Sequence, residues 1–414
     1  MQLAKYSMGV GDRFAHQGKA QLAAMMQALS LGVEVVPVWN KSNREHQIIG
    51  TRPESVRREA DRAVQSLGWD RPYHVDADHI GLKTVDAFLA ASDFFTIDVA
   101  DFTGKPVGEE EIRAFTAGRS RYAGLLDIPG LDSPLEISMA AIENTARKYL
   151  LAVRQAGEIY RYICRAKGTE DFIAEVSMDE TDLAQTPVEL LFILSAIAEE
   201  GIPAQTIAPK FSGRFNKGVD YVGDLSRFEK EFCEDLAVIA FAVREFGLPA
   251  NLKLSVHSGS DKFSIYGPMQ KALRRFDAGV HLKTAGTTWL EELIGLAMAG
   301  GEGLAMAREV YAGAYQRYEE MAGPYATVID IHREKLPRPE AVNGWSPEQY
   351  AGALRHDPAC PEFNLHFRQL LHVGYKVAAE MGERFLHALD RYEETIARQV
   401  TENILERHLK RLFL

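Results

Sequence analysis

The sequence predicts an α/β fold: a (β/α)8 barrel with a loop inserted after its fourth strand and a helical extension at its C-terminal end. Three observations carry that prediction. Short β-branched or aromatic runs alternate with amphipathic helical runs, an order that produces a parallel sheet. The alternation repeats about eight times, the count at which such units close on themselves. Polar and ionisable residues end the β runs, which is where a barrel gathers its active site. A doubly wound open sheet is the alternative.

The strands are placed, in order, at Tyr6–Gly11, Glu34–Trp39, Tyr73–Asp76, Phe94–Val99, Phe172–Ser177, Gln205–Lys210, Leu252–His257 and Gly279–Lys283. Helical stretches between them include Lys19–Ser30, Pro53–Leu67, Val188–Glu200, Ser226–Phe246 and Trp289–Ala307. Punctuation supports these limits. Thr186-Pro187 reads as an N-cap followed by Pro at the first helical position. Gly247-Leu248-Pro249 closes the helix that begins near Ser226, and Gly32 and Gly68 end two earlier ones. Two segments exceed a bare barrel. Thr103–Pro134 holds several Gly and Pro ahead of a long helix, Leu135–Ala166, and suits a lid or an oligomer contact. The tail carries a Pro-rich linker, Leu336-Pro337-Arg338-Pro339, and helices from Pro361 onward. The division expected is a barrel over 1–322 and a helical extension over 323–414 packed upon it.

Composition narrows the function. The chain has 414 residues, 46% hydrophobic and 25% charged, enough for a large buried core. Its net charge of -11 argues against nucleic-acid binding, which needs clustered Lys and Arg, but permits a locally basic pocket for an anion. Cys164, Cys233 and Cys360 form no CxxC pair, which fits a reducing compartment and excludes a thiolate zinc site. No signal segment and no membrane span are expected, so the location expected is the cytoplasm.

The strand ends supply the chemistry. Strand one runs into Asp12-Arg13, strand three into Asp76-Ala77-Asp78-His79, and strand four into Asp98. Strand five runs into Glu175 to Asp179, strand six into Lys210, strand seven into His257-Ser258 and on to Lys262, and strand eight carries His281 and Lys283. Alternation sends Ser255 with His257, His281 with Lys283, Glu175 with Ser177, and Asp76 with Asp78 to one face. So many ionisable groups converging in a barrel are costly to bury without a ligand or metal. Imidazoles with a carboxylate make a divalent transition-metal set. The ligands expected are Glu175, His257 and His281, with His79 as the fourth and Asp78 competing for its place. The metal expected is zinc, with manganese, nickel or cobalt as alternatives. Lys210, Lys262 and Lys283 suit a carboxylate or phosphate, a Schiff base, or ion pairs with acidic neighbours. Arg368, Gln369, His372 and Lys376 lie on a helix that could cover the pocket; a solvated face is the reading preferred.

Several of these motifs resemble one family. His74-Val75-Asp76-Ala77-Asp78-His79, Thr96-Ile97-Asp98, Ala208-Pro209-Lys210-Phe211, Ser255 to Phe263, His281 to Thr287 and Arg368 to Lys376 are similar to the tagaturonate epimerases, from about Gly9 to Gly382. The run from Ser255 to Phe263 is the specific one. The family carries a further region ahead of the Gly11-Asp12-Arg13 motif, whereas this sequence opens almost directly on strand one. The resemblance implies a metal-dependent barrel that interconverts D-tagaturonate and D-fructuronate, a small-molecule sugar-acid enzyme. A homo-oligomer is also expected.

These keto-uronates differ at a carbon β to the ketone, whose C–H the carbonyl does not acidify. A retro-aldol and aldol route through an enediolate, stabilised by a metal, therefore fits better than deprotonation. Asp98 and Lys210 are nominated to move protons, with Asp12 and Asp179 as rivals. Lys262, Lys283 or Arg13 would hold the substrate carboxylate, with Ser258 and Asp78 also in contact with substrate. The alternatives are a Schiff-base aldolase on Lys210 or Lys283, a sugar isomerase that moves hydride, and a non-catalytic sugar-acid sensor.

Overall fold

The computed structural model describes residues 1–181, 183–284 and 286–414. Its strands are β1 (Tyr6–Gly11), β2 (Val36–Ser42), β3 (His74–Ile80), β4 (Phe94–Asp98), β5 (Gly124–Leu126), β6 (Leu135–Ile137), β7 (Ile173–Ser177), β8 (Thr206–Ala208), β9 (Lys253–His257) and β10 (Val280–Lys283). All but β5 and β6 form a closed barrel in the order β1, β10, β9, β8, β7, β4, β3, β2. Every pairing in it is parallel, so the (β/α)8 expectation holds and the open sheet is excluded.

Strand alternation sorts the barrel. Met8, Val10, Leu254, Val256 and Leu282 are buried and belong to the shell of apolar packing outside the strands, where each such side chain contributes roughly 1.5–3 kcal/mol. The opposite parity differs along its length. Val36, Val38, Phe94 and Ile173 form an apolar plug with Leu3. Nearer the C-terminal ends of the strands, on β3, β4, β7, β9 and β10, stand Asp76, Thr96, Glu175, Ser255, His281 and Lys283, all buried. The register places Thr96 beside Glu175, and Lys283 beside both Gly9 and His257.

The helices follow their predicted limits with two exceptions. Thr186 accepts from Glu189 N in a capping box with Pro187 in the first turn, and Gly68 and Gly247 close their helices in the left-handed region. The stretch Trp289–Ala307 is two helices, Thr287–Met298 and Gly301–Gln316. Gly300 and Gly301 break it, with φ of 69° and 47°, a region that favours glycine. The helix expected from Leu135 begins at Met139, where Ser138 caps it. Leu135–Ile137 instead pairs with Gly124–Leu126 as a small antiparallel hairpin in the inserted segment.

The C-terminal helices strap the barrel's outside. Gly295 lets Ile396 approach so closely that a Cβ there would sit 2.6 Å from the Ile396 Cα. A buried ion cluster locks the strap in place. Asp261, after β9, accepts from Arg368 Nη2 at 2.8 Å and from Thr287 Oγ1 at 3.0 Å. His408 Nε2 lies 3.1 Å from Asp261 Oδ1, the oxygen that Thr287 also reaches, while Arg368 takes Oδ2. Arg368 spends its remaining donors on Gly218 O and Leu354 O, at 2.7 and 2.6 Å. The solvated-face reading of this helix is therefore corrected for three of its four residues. Arg368, Gln369 and His372 are buried, because their helix, Leu365–Val373, packs onto the loops after β8 and β9; Lys376 lies on a separate helix, Tyr375–Glu380, and faces out, onto Glu320.

Candidate active site

The C-terminal ends of β3, β7 and β9 bring His79, Asp179 and His257 together, one ligand atom of each lying within 4.8 Å of the others. Local backbone explains how His79 arrives. The β3–β4 register shifts between Ala77 and Ile80, and His79 adopts a φ of 53°. Such a conformation costs roughly 1–3 kcal/mol in a non-glycine residue and is characteristic of functional sites.

A second layer of carboxylates orients the imidazoles. Asp78 Oδ1 lies 2.8 Å from His79 Nδ1, and Glu175 Oε1 lies 2.9 Å from His257 Nε2. These contacts leave His79 Nε2 and His257 Nδ1 directed at Asp179, at 3.4 and 3.1 Å. His257 Nδ1 is buried and out of line for a hydrogen bond. Ser177 Oγ donates to Asp179 at 2.6 Å. Below this layer Lys283 Nζ meets Asp76 and Asp78 at 2.8 Å, Glu175 at 3.4 Å and Thr96 Oγ1 at 2.7 Å.

The charges respond to this crowding. Burial opposes protonation of His257, but Asp179 and Glu175 outweigh it and raise the ring to about 9. His79 is likewise held well above its ordinary value, burial being overcome by Asp78 and Asp179. Burial also works against a charged Lys283, yet Asp76, Asp78 and Glu175 keep it well above the usual range. His281 goes the other way: burial takes it to about 3. Burial raises Asp98, at the end of β4, while nearby His79 opposes that rise.

The comparisons with known proteins agree on one family. The tagaturonate epimerase family model matches residues 1–412. The chain belongs to that family. It is accordingly an epimerase, an isomerase class of enzyme. A tagaturonate/fructuronate epimerase from Thermotoga maritima is 29% identical over 419 residues, which is 97% of this chain and 80% of that protein. Two crystal structures of a fructuronate-tagaturonate epimerase from Cohnella laeviribosi superpose on it. The glycerol complex has a TM-score of 0.82 at 23% identity, covering all of this chain and 82% of that one. The native form gives 0.81 at 24%, with the same coverage.

In this epimerase the residues nominated from sequence fall into distinct places. Of the four expected ligands, His79 and His257 meet, and their third partner is Asp179, which the sequence suggested as a proton carrier. Glu175 stands behind His257. His281 sits deeper, its Nδ1 2.9 Å from Ser7 Oγ and its ring against Phe94. Asp12 is spent on the backbone of Ala15 and Gln17, and Ser258 Oγ on Lys283 O. Lys283 and Asp78 are paired with each other. Lys210 follows β8 with its backbone N on Gln185. Arg13 and Lys262 lie toward the extension. Lys217, which the sequence did not single out, comes from the loop after β8 and stacks over Tyr325, with no strand-end signal to mark it. Among the described residues, no helix is long and apolar enough to cross a membrane.

Proposed function

We propose that the protein interconverts D-tagaturonate and D-fructuronate by a retro-aldol and aldol sequence, with a divalent metal held by His79, Asp179 and His257. One observation carries the metal reading: two imidazoles and a carboxylate converge at the barrel mouth, and each imidazole is backed by its own carboxylate. That arrangement suits zinc, or manganese, nickel or cobalt, by donor chemistry, and the backing carboxylates fix which ring nitrogen faces the ion. The protons that His79 and His257 carry in its absence are those a cation would replace. When bound, the metal polarises the ketone and offsets enediolate charge.

The chain's own residues do the rest. Asp98 accepts the proton of the hydroxyl on the carbon to be inverted, a task suited to a carboxylate raised by burial. That oxygen's electrons form the aldehyde, and the bond between the inverted carbon and the carbon α to the ketone breaks. The electron pair of that bond passes into the ketone fragment as an enediolate. The aldehyde turns, the enediolate re-forms the bond on its other face, and Asp98 returns the proton. Lys210 is the second proton carrier proposed. A Schiff base on Lys283 is disfavoured, because a nucleophilic amine must lose its proton and three carboxylates hold that one charged.

The test is chelation. Dialysis against a chelator should abolish turnover of D-tagaturonate, and a divalent metal should restore it. Full turnover by metal-free protein would defeat the metal reading, and no turnover of either keto-uronate by metal-loaded protein would defeat the substrate.

A further inference from the structure

The barrel mouth is electrically lopsided. Asp78, Asp98, Glu175 and Asp179 lie on the side of β3, β4 and β7. Where the loops after β1, β8 and β9 meet the C-terminal extension, Arg13, Lys217 and Lys262 gather, and the carboxylates near them are bonded elsewhere or shared: Asp12 to backbone N–H groups, Glu45 to Arg13 and the Ser42 cap, Asp220 to Ser264, and Asp261 to Arg368. Among the described residues, Lys262 bonds only to Ser260 Oγ, at 2.9 Å, although it is wholly buried. Lys217 lies 5.5 Å over the Tyr325 ring and has no carboxylate partner among the described residues. Arg13 spends Nε on Glu45 at 3.3 Å and lays its guanidinium 4.0 Å over Tyr375, but its buried Nη1 bonds to nothing described. His372 is buried, and among the described residues neither of its ring nitrogens has a partner.

These groups are neighbours. Ser260 Oγ takes both Lys262 Nζ and Gly218 N, the latter at 3.0 Å. A Cβ on Gly218 would sit 3.2 Å from the His372 Cβ. Burial, then Arg13, Lys217, Arg368 and Lys262, hold the His372 ring neutral. Buried donors left without an acceptor are costly, and a guanidinium edge beside ammonium groups is the chemistry that receives a planar carboxylate.

We propose that Arg13, Lys217, Lys262 and His372 form the subsite for the substrate carboxylate, built half by the barrel and half by the C-terminal extension. The proposal rests on the keto-uronate reading above. Lys283 is unavailable for this role, since Asp76, Asp78 and Glu175 already occupy it. The subsite orients the substrate with its carboxylate toward the extension and its ketone toward His79, Asp179 and His257. In the retro-aldol step the carboxylate stays with the aldehyde fragment. A held carboxylate is then the fixed end about which the aldehyde carbon turns, and it keeps that fragment from leaving.

Calorimetric titration of metal-loaded protein with D-fructuronate, and separately with D-fructose, tests this. D-Fructose carries a hydroxymethyl group in place of the carboxylate. The wild type should prefer the acid. Lys217→Met and Arg13→Gln should each weaken D-fructuronate binding by about tenfold or more, with D-fructose binding and metal content unchanged. Lys217 is half-buried and carries the test if Arg13→Gln fails to fold. Equal binding of acid and neutral sugar by the wild type, or unchanged acid binding by Lys217→Met, overturns the proposal. Turnover is assayed separately from binding, so a protein that prefers the acid without epimerising it would overturn the proposed reaction and support the subsite.

Discussion

Two buried ion clusters in this molecule use the same residue types to opposite ends. Around Asp261, an arginine, a histidine and a threonine from separate elements saturate one carboxylate, and Arg368 spends every side of its guanidinium. Around Glu175 the accounts stay open. Among the described residues, buried Glu175 Oε2, His257 Nδ1 and His281 Nε2 have no hydrogen-bond partner, and His79 holds a left-handed backbone. Buried polar groups are normally satisfied, so a closed cluster fits a structural role, while open valences beside strained backbone fit a site that awaits a ligand.

Substitutions should separate the two roles. The largest effect is expected at the mouth. His257→Ala should cut kcat/KM about a thousandfold or more, because charge stabilisation by a metal is worth several kcal/mol, while above about pH 9, where the raised imidazole no longer carries its proton, the urea midpoint of metal-free protein drops little. At the closed cluster the pattern should reverse. Arg368→Leu leaves Asp261 buried without its main countercharge, which costs about 3–5 kcal/mol, measured by urea unfolding, with metal content of the folded fraction retained. A stable, metal-free Arg368→Leu protein would erase the distinction between the clusters.

How much of this could be read from the sequence follows from the range of each determinant. Period-two alternation is local, so the inward placement of Ser255, His257, His281 and Lys283 was legible. The membership of each layer was not. Glu175 and Asp179 both stand near the end of one strand, and only distances across the barrel decide which orients an imidazole and which faces the shared centre. His79 depends on a bulge that no residue pattern announces. Arg368 looks solvent-facing on its own helix because its partner, Asp261, is 107 residues away. The three-residue strands of the inserted hairpin are too short for any periodicity to appear.

A milder substitution sharpens the comparison within the mouth. Glu175→Gln removes the charge behind His257 without removing a ligand. Metal affinity should fall by about 10–100-fold, the usual effect of losing an orienting carboxylate, measured by competition with a chromogenic chelator. An affinity loss as large as that of His257→Ala would place Glu175 in the ligand set instead.

The smallest effect expected is a pH dependence confined to the open cluster. His257 is raised from 6.5 to about 9 by Asp179 and Glu175 despite burial, so the folded metal-free protein binds a proton there that the unfolded chain releases earlier. For a raised group, the stabilisation is complete below about 6.5 and is lost as pH climbs through about 9. Lys262, which burial lowers to about 7, works in the opposite sense over an overlapping range. The quantity to measure is therefore the difference in unfolding free energy between wild type and His257→Gln, both metal-free, at pH 6, 7.5 and 9. That difference should shrink as pH rises. Over the same interval the wild type's metal affinity should grow, because the cation no longer competes with the proton on His257. A difference that stays flat would mean that the imidazole is neutral in the folded state, and that the open cluster is balanced by something other than protons on its histidines.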